Sequence, residues 1–172
     1  MAPSKVNPEG KAFRFTRSPA QIQELKAMCA AWEVGPSPAQ RFWSFDDVLA
    51  ALGRPGSLAL VHADHPEAPW HGVALLDVGP YTADLLYIYI KPEWRRRGIA
   101  HALLTAAAEE LATRPQIESM FLEVRISNIE AQKLYVAIGM ELVGKRQRYY
   151  ADGEDAMIYK LPIAPLHPGA KA

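Results

Sequence analysis

The segment 85–112 constrains the fold more than any other part of the chain. Residues 85–90 are apolar or aromatic without interruption, which fits a buried strand. Lys91 and Pro92 close that run, because proline has no N–H for a ladder and restricts the residue before it. Three arginines follow, Arg95, Arg96 and Arg97, and then Gly98, Ile99 and Ala100. Ala100, Leu103, Leu104, Ala107 and Leu111 recur at helical spacing. The segment therefore predicts a strand, a basic glycine-containing loop and a helix in succession. A helix start has four N–H groups without intrahelical partners and normally favours acidic residues. Here the first turn offers arginines and no acid, a conflict that a bound anion removes.

At 172 residues the chain is long enough for one domain with a proper core. Hydrophobic residues at 49% and charged residues at 22% fall in the globular range, and no apolar run reaches membrane-spanning length. The first residues carry no apolar segment, so no secretory signal is expected. Cys29 is the only cysteine, which excludes an intrachain disulfide and fits a reducing, cytoplasmic setting. Nineteen basic against nineteen acidic residues give no general attraction to nucleic acid or membrane, so any electrostatic function is local. The densest local charge is 95–97. His62, His65 and His71 lie close in sequence but lack acidic or cysteine ligands at regular spacing. They read as strand-end and loop residues, and no metal site is expected.

Periodicity organises the remainder. Residues 1–11 are expected to be flexible, 12–162 to form a single domain, and 163–172 to be a loose tail. Residues 12–16 alternate as a first strand. Ser18 and Pro19 suit a helix start, with Ile22, Leu25, Cys29 and Trp32 on its apolar face. Phe42, Trp43 and Phe45 follow a Gly-Pro-rich break; they either pack onto the core or wall a substrate site. A second short helix ends at Gly53. Strands over 57–62, 70–78 and from about 82 make an antiparallel meander. Beyond the long helix, residues 119–126 alternate, with Leu122, Val124 and Ile126 facing one way. Ser127 and Glu130 have capping-box spacing, Ala131, Leu134, Tyr135 and Ile138 share a face, and Gly139 suits a C-cap. Residues 140–150 and 155–161 read as a closing hairpin. The order β-α-α-β-β-β-α-β-α-β-β implies an α+β fold, with helices on both faces of a mixed sheet of about seven strands.

Arg95 through Ala100 match the [Q/R]-x-x-G-x-[G/A] signature of the GCN5-related N-acetyltransferase (GNAT) superfamily, in its expected place between strand and helix. A second block, from Phe121 to Asn128 and on through Leu134, Tyr135 and Gly139, resembles the RimI-type N-terminal acetyltransferases. Tyr149, Tyr150 and residues 154–156 also resemble that group. The resemblance covers residues 83–162. It implies a three-layer GNAT-like fold and direct acetyl transfer from acetyl-CoA to an amine, without a metal. Two departures stand out: Ala100 replaces a frequent glycine, and the connection from Trp32 to Phe45 is longer, without a Phe-Pro-Trp element.

The resemblance assigns roles residue by residue. The CoA pyrophosphate would sit on the loop and helix start formed by Arg95, Arg96, Arg97, Gly98, Ile99, Ala100 and His101. The backbone of Ile88, Tyr89 and Ile90 would run along the pantetheine arm, one amide stabilising the oxyanion. Asn128 would touch CoA, or be only a first-turn helix residue. Glu123, which alternation alone places on an exposed face, would be the general base. Tyr135, which could be a core residue, would be the general acid. Tyr149 and Tyr150 would line the acceptor channel or pair across the hairpin. The implied acceptor is the α-amine of a protein N-terminus, such as a ribosomal protein. The alternatives are a small-molecule amine, a lysine side chain, or a non-catalytic acyl-CoA-binding module. No nucleic-acid or membrane partner is expected, and either a monomer or a homodimer is compatible with the sequence.

Overall fold

The computed structural model describes residues 10–16, 18–33 and 45–164. The elements run β1 (Lys11–Arg14), α1 (Pro19–Glu33), α2 (Phe45–Leu52), β2 (Ser57–Ala63), β3 (Gly72–Val78), β4 (Thr82–Ile90), α3 (Ile99–Ala112), β5 (Ser119–Arg125), α4 (Ile129–Ala137), β6 (Glu141–Arg146) and β7 (Ala156–Pro162). One sheet holds the seven strands in the order β1-β2-β3-β4-β5-β7-β6. All neighbours are antiparallel except β4 and β5.

The continuous apolar runs arise because both faces of the sheet are covered. In β2, Leu58 and Leu60 enter a core with Leu103, Leu104 and Leu111 of α3, Met120, Leu122, Tyr135 and Tyr159. The alternate residues Ala59 and Val61 enter a second core with Leu25, Met28 and Cys29 of α1, Val48 and Leu52 of α2, and Trp70. The result is three layers, α1 and α2 on one face and α3 and α4 on the other. Ser18 starts α1 as expected, its hydroxyl accepting from the Gln21 amide at 3.3 Å.

Two irregularities shape the centre. The β3–β4 register shifts between Leu75 and Leu76, which pair with Tyr87 and Leu85 and leave Leu86 without a partner residue. Such a bulge re-aims every side chain beyond it. Leu85 lies in the α3 core and Ile88 and Ile90 pack against it, while Leu86, Tyr87 and Tyr89 pack against the other. Next, the parallel β4–β5 pairing runs from Thr82–Ser119 only to Leu85–Leu122. Beyond those residues the strands part.

Several boundaries differ from the expected ones. Lys11 already pairs with Ala63 in β1, and Ile163 is buried, its N–H donating to the Glu118 carbonyl at 2.9 Å. Lys11 and Ile163, just outside the expected 12–162, thus pack with the sheet. β5 stops at Arg125, so Ile126 is an exposed turn residue and does not share the face of Leu122 and Val124. The Ser127–Glu130 capping box does not form. Asn128 is the N-cap, its side-chain oxygen accepting from the Ala131 amide at 3.2 Å. Ser127 gives its own amide to Glu154 at 2.8 Å. β6 ends four residues earlier than 150, where a turn with Arg148 at φ +52° takes over. Phe42 and Trp43 lie outside the described residues; Phe45 packs against the α1–α2 core.

Leu103 is fully enclosed at the α3–sheet contact. Leu103→Ala is expected to cost about 3–5 kcal/mol. In urea unfolding this appears as a lower midpoint with an unchanged slope.

Candidate active site

The parting of β4 from β5 opens a cleft of about 510 Å³. One wall is Ile88, Tyr89 and Ile90 of β4; another is the loop and first turn of α3, with Arg95, Arg96, Gly98, Ile99, Ala100 and His101. Nine of the eleven residues assigned to the donor by resemblance therefore share one cavity. Trp94, Glu130, Ala131 and Leu134 complete it and had no assigned role. Trp94 ends a single 3₁₀ turn, Pro92–Trp94, that periodicity could not reveal. The other two assigned residues lie elsewhere: Arg97 rides on the Trp94 ring at 4.8 Å, and the side chain of Asn128 is used in capping α4.

The local backbone makes the helix start available. Gly98 takes φ +79° as the N-cap of α3 and supplies no side-chain cap; the first turn carries no acid. A Cβ on Gly98 would meet nothing within 4 Å, so the glycine is needed for its φ and not for packing. The uncapped amides of this 14-residue helix open into the cleft, a geometry that suits a phosphate group. Arg96, at φ +62°, reaches across to Glu130 of α4 at 2.7 Å. Arg95 donates from Nε to the Ile90 carbonyl at 3.1 Å, which ties the loop to the exposed end of β4.

Glu123 and Tyr135 stand beside this cleft rather than among its lining residues. Glu123 is the first residue of β5 past its last pairing with β4. Its carboxylate lies 3.3 Å from the Arg146 guanidinium. Tyr135 projects from α4 into the α3 core, 5% exposed, its ring 5.9 Å from that of Tyr159. Burial is the main cause that pushes its phenol up to about 12. Its hydroxyl makes no hydrogen bond to a described residue, unusual for a buried tyrosine. Tyr150 joins the two: burial raises its pKa with Glu123 contributing, and Tyr150 in turn raises that of Tyr135.

A brace holds Tyr150 in place. The Arg125 guanidinium contacts Asp152 at 2.8 Å and Glu154 at 2.6 Å, and lies 4.0 Å from the Tyr150 ring centroid. Asp155 accepts from the Arg148 amide and pairs with Lys145. Asp152, Glu154 and Asp155 therefore secure the β6–β7 turn, the first two against the end of β5 and the turn after it. That work was hidden from sequence reasoning, because the partners lie up to 29 positions apart.

A strand fork facing an uncapped, basic helix start has the geometry that suits a phosphate-bearing ligand. The Acetyltransferase (GNAT) family profile matches residues 21–140, and the chain belongs to that family. The [ribosomal protein bS18]-alanine N-acetyltransferase of Salmonella typhimurium is 41% identical over 138 residues, 78% of this chain and 90% of that one. An N-alpha-acetyltransferase of Saccharolobus solfataricus is 40% identical over 76 residues, 44% of this chain and 46% of that protein. The chain thus spans about half the length of the first curated relatives it matches. Among solved structures, the ribosomal-protein-S18-alanine N-acetyltransferase of Escherichia coli superposes with a TM-score of 0.75 at 24% identity, covering 95% of this chain and 99% of that one.

Arg125→Met is expected to loosen the turn without unfolding the sheet. Hydrogen exchange should accelerate over 148–154 and stay unchanged in β2 and β3. The melting temperature should fall by about 2–6 °C.

Proposed function

We propose that this protein is an acetyl-CoA-dependent N-acetyltransferase that acetylates the α-amine of a protein N-terminus. What carries the reading is the 41% identity over nine-tenths of a relative named for alanine N-acetylation of a ribosomal protein. The site chemistry supports it. Acetyl-CoA supplies the acetyl group as a thioester. The α3 amides and Arg96 would hold its pyrophosphate. The backbone of Ile88, Tyr89 and Ile90, free of β5, would pair with the pantetheine arm, and one amide there would face the thioester oxygen.

Glu123 takes the proton from the attacking amine, and Tyr135 gives one to the departing sulfur. The division suits an α-amine. With a pKa of about 8, roughly a tenth of it is already neutral at pH 7, whereas a lysine amine at about 10.4 is neutral in well under one part in a thousand. A carboxylate has little to do for the first and far too much for the second. Tyr149 and Tyr150 wall the acceptor's approach. Transfer is direct; Cys29, on the inner face of α1, is buried in the core on the other side of the sheet.

Peptides beginning with alanine, serine or methionine should be acetylated in preference to polyamines and internal lysines. Turnover of polyamines alone would overturn the acceptor assignment. Tyr135→Phe should lower kcat by about 10²–10³-fold and leave the KM for acetyl-CoA within about twofold. The pH profile has a definite sign. Because its pKa is pushed up to about 12, Tyr135 keeps its proton throughout the working range. The kcat/KM should rise through the amine's pKa near 8 and stay level to pH 10; a fall centred near pH 9 would contradict the assignment.

A further inference from the structure

A buried pair of histidines adjoins the donor cleft and takes no part in the chemistry above. His62 of β2 and His71, just before β3, are 1% and 3% exposed. Their Nδ1 atoms lie 3.1 Å apart. The backbone locks them together: the His71 amide donates to the His62 carbonyl at 2.7 Å, and the Lys91 amide donates to that of His71 at 2.9 Å. The His71 ring stacks on Trp94 with centroids 3.6 Å apart and planes 18° apart. Trp94 lines the donor cleft and carries the Arg97 guanidinium. A column of flat groups, His62–His71–Trp94–Arg97, therefore runs from β2 to the loop that opens α3.

An Nδ1–Nδ1 bond needs one N–H and one lone pair. His71 Nε2 faces the Asp64 carboxylate at 3.7 Å, which favours hydrogen on that nitrogen. His71 Nδ1 then accepts, and His62 Nδ1–H donates. The bond is complete when both rings are neutral, and a doubly protonated pair has no lone pair to make it. The surroundings are mixed in charge. Asp64 and a backbone hydrogen bond with Gly10 favour a proton on His62; burial and His71 oppose it more strongly. Burial, Lys91 and Arg97 oppose a proton on His71, against Asp64 alone. Lys91 is itself paired with Glu24 of α1.

We propose that His71 is a positioning residue for the donor site: the hydrogen-bonded His62–His71 pair fixes Trp94, and through it the Arg97 side chain, in the loop that opens α3, and protonation of both rings breaks the bond, releases that column and weakens donor binding. The coupling is reciprocal, since a packing that disfavours the proton is disfavoured by it to the same extent. Packing alone would be met by phenylalanine; two histidines in this arrangement add a dependence on pH. The proposal rests on the donor reading of the cleft and not on the acceptor.

The test is calorimetric titration with dephospho-CoA between pH 5.5 and 8. This probe keeps the pyrophosphate and lacks the phosphate monoester that itself ionises near pH 6. Affinity of the unmodified protein should fall about three- to tenfold as pH drops below 6.5, the scale of one aromatic stack. His71→Phe keeps the ring and should bind with a flat profile. His71→Ala should bind about three- to tenfold more weakly at pH 8. Parallel profiles for the unmodified protein and His71→Phe, or full affinity in His71→Ala, would overturn the proposal. If circular dichroism shows His71→Ala unfolded, the His71→Phe comparison decides alone. Peptide turnover plays no part in this readout, so failure of the acceptor reading is a separate result. No binding of dephospho-CoA at pH 8 overturns the donor reading and this proposal together.

Discussion

β4 and β5 are parallel neighbours for four residue pairs and then diverge, and the divergence is held from both sides. β4 continues against β3 as far as the Ile90–Gly72 pair, while β5 continues against β7 as far as Arg125–Ala156. Each strand keeps one ladder, and no residue pairing joins the two beyond Leu85–Leu122. At the far end of β4 the Ile90 carbonyl takes the Arg95 side chain instead. The cleft lies between Ile88–Ile90 and the start of α3, and Glu123 stands at the point where the strands separate. The bulge at Leu86 serves the same end. It turns Tyr87 and Tyr89 to the α1–α2 face, so that Ile88 and Ile90 present apolar surface on the side of α3.

Much of this was legible in the residues. The uninterrupted run 85–90, the proline after it and the glycine before the long helix located β4, the loop and α3 to within a residue or two. The helix stripe was off by one contact, since Ile99 is fully buried and Ala100 only partly. What local pattern could not supply was contact at a distance. The Asn128 cap replaced the expected Ser127 cap because Glu154, from the far hairpin, engages the Ser127 amide. Trp94 carries no local signal, and its place depends on the His71 ring stacked against it. For Tyr150 local pattern left a channel wall and a hairpin pair equally open; its position depends on Arg125, whose acidic partners come from the turn before β7.

The acidic residues of the β6–β7 turn show how a motif can mislead about chemistry. Glu154 and Asp155 resemble part of a catalytic family's signature, yet they and Asp152 are occupied with Arg125, Ser127, Lys145 or Arg148. Their task is architectural: through Arg125 they fix the turn that carries Tyr150. Glu123 differs: its neighbour Arg146 approaches from the sheet edge, leaving the carboxylate near the mouth of the fork.

The last strand among the described residues, β7, lies between β5 and β6 rather than at the margin of the sheet. A chain emerging from the ribosome can assemble β1 to β4 as a local meander, but β5 must wait for residues 156–162 before its outer edge is covered. Until then the strand bearing Glu123 is an open template for another chain. Closure is a long-range event, slow by topology, and it must wait until β7 has been made. The same late insertion aligns Tyr159 beside Tyr135 and draws Glu154 to Arg125. The surroundings of Glu123 and Tyr135 therefore come into being in one step with the completed sheet, and a chain cut short before β7 lacks both the sheet and the packing around these two side chains.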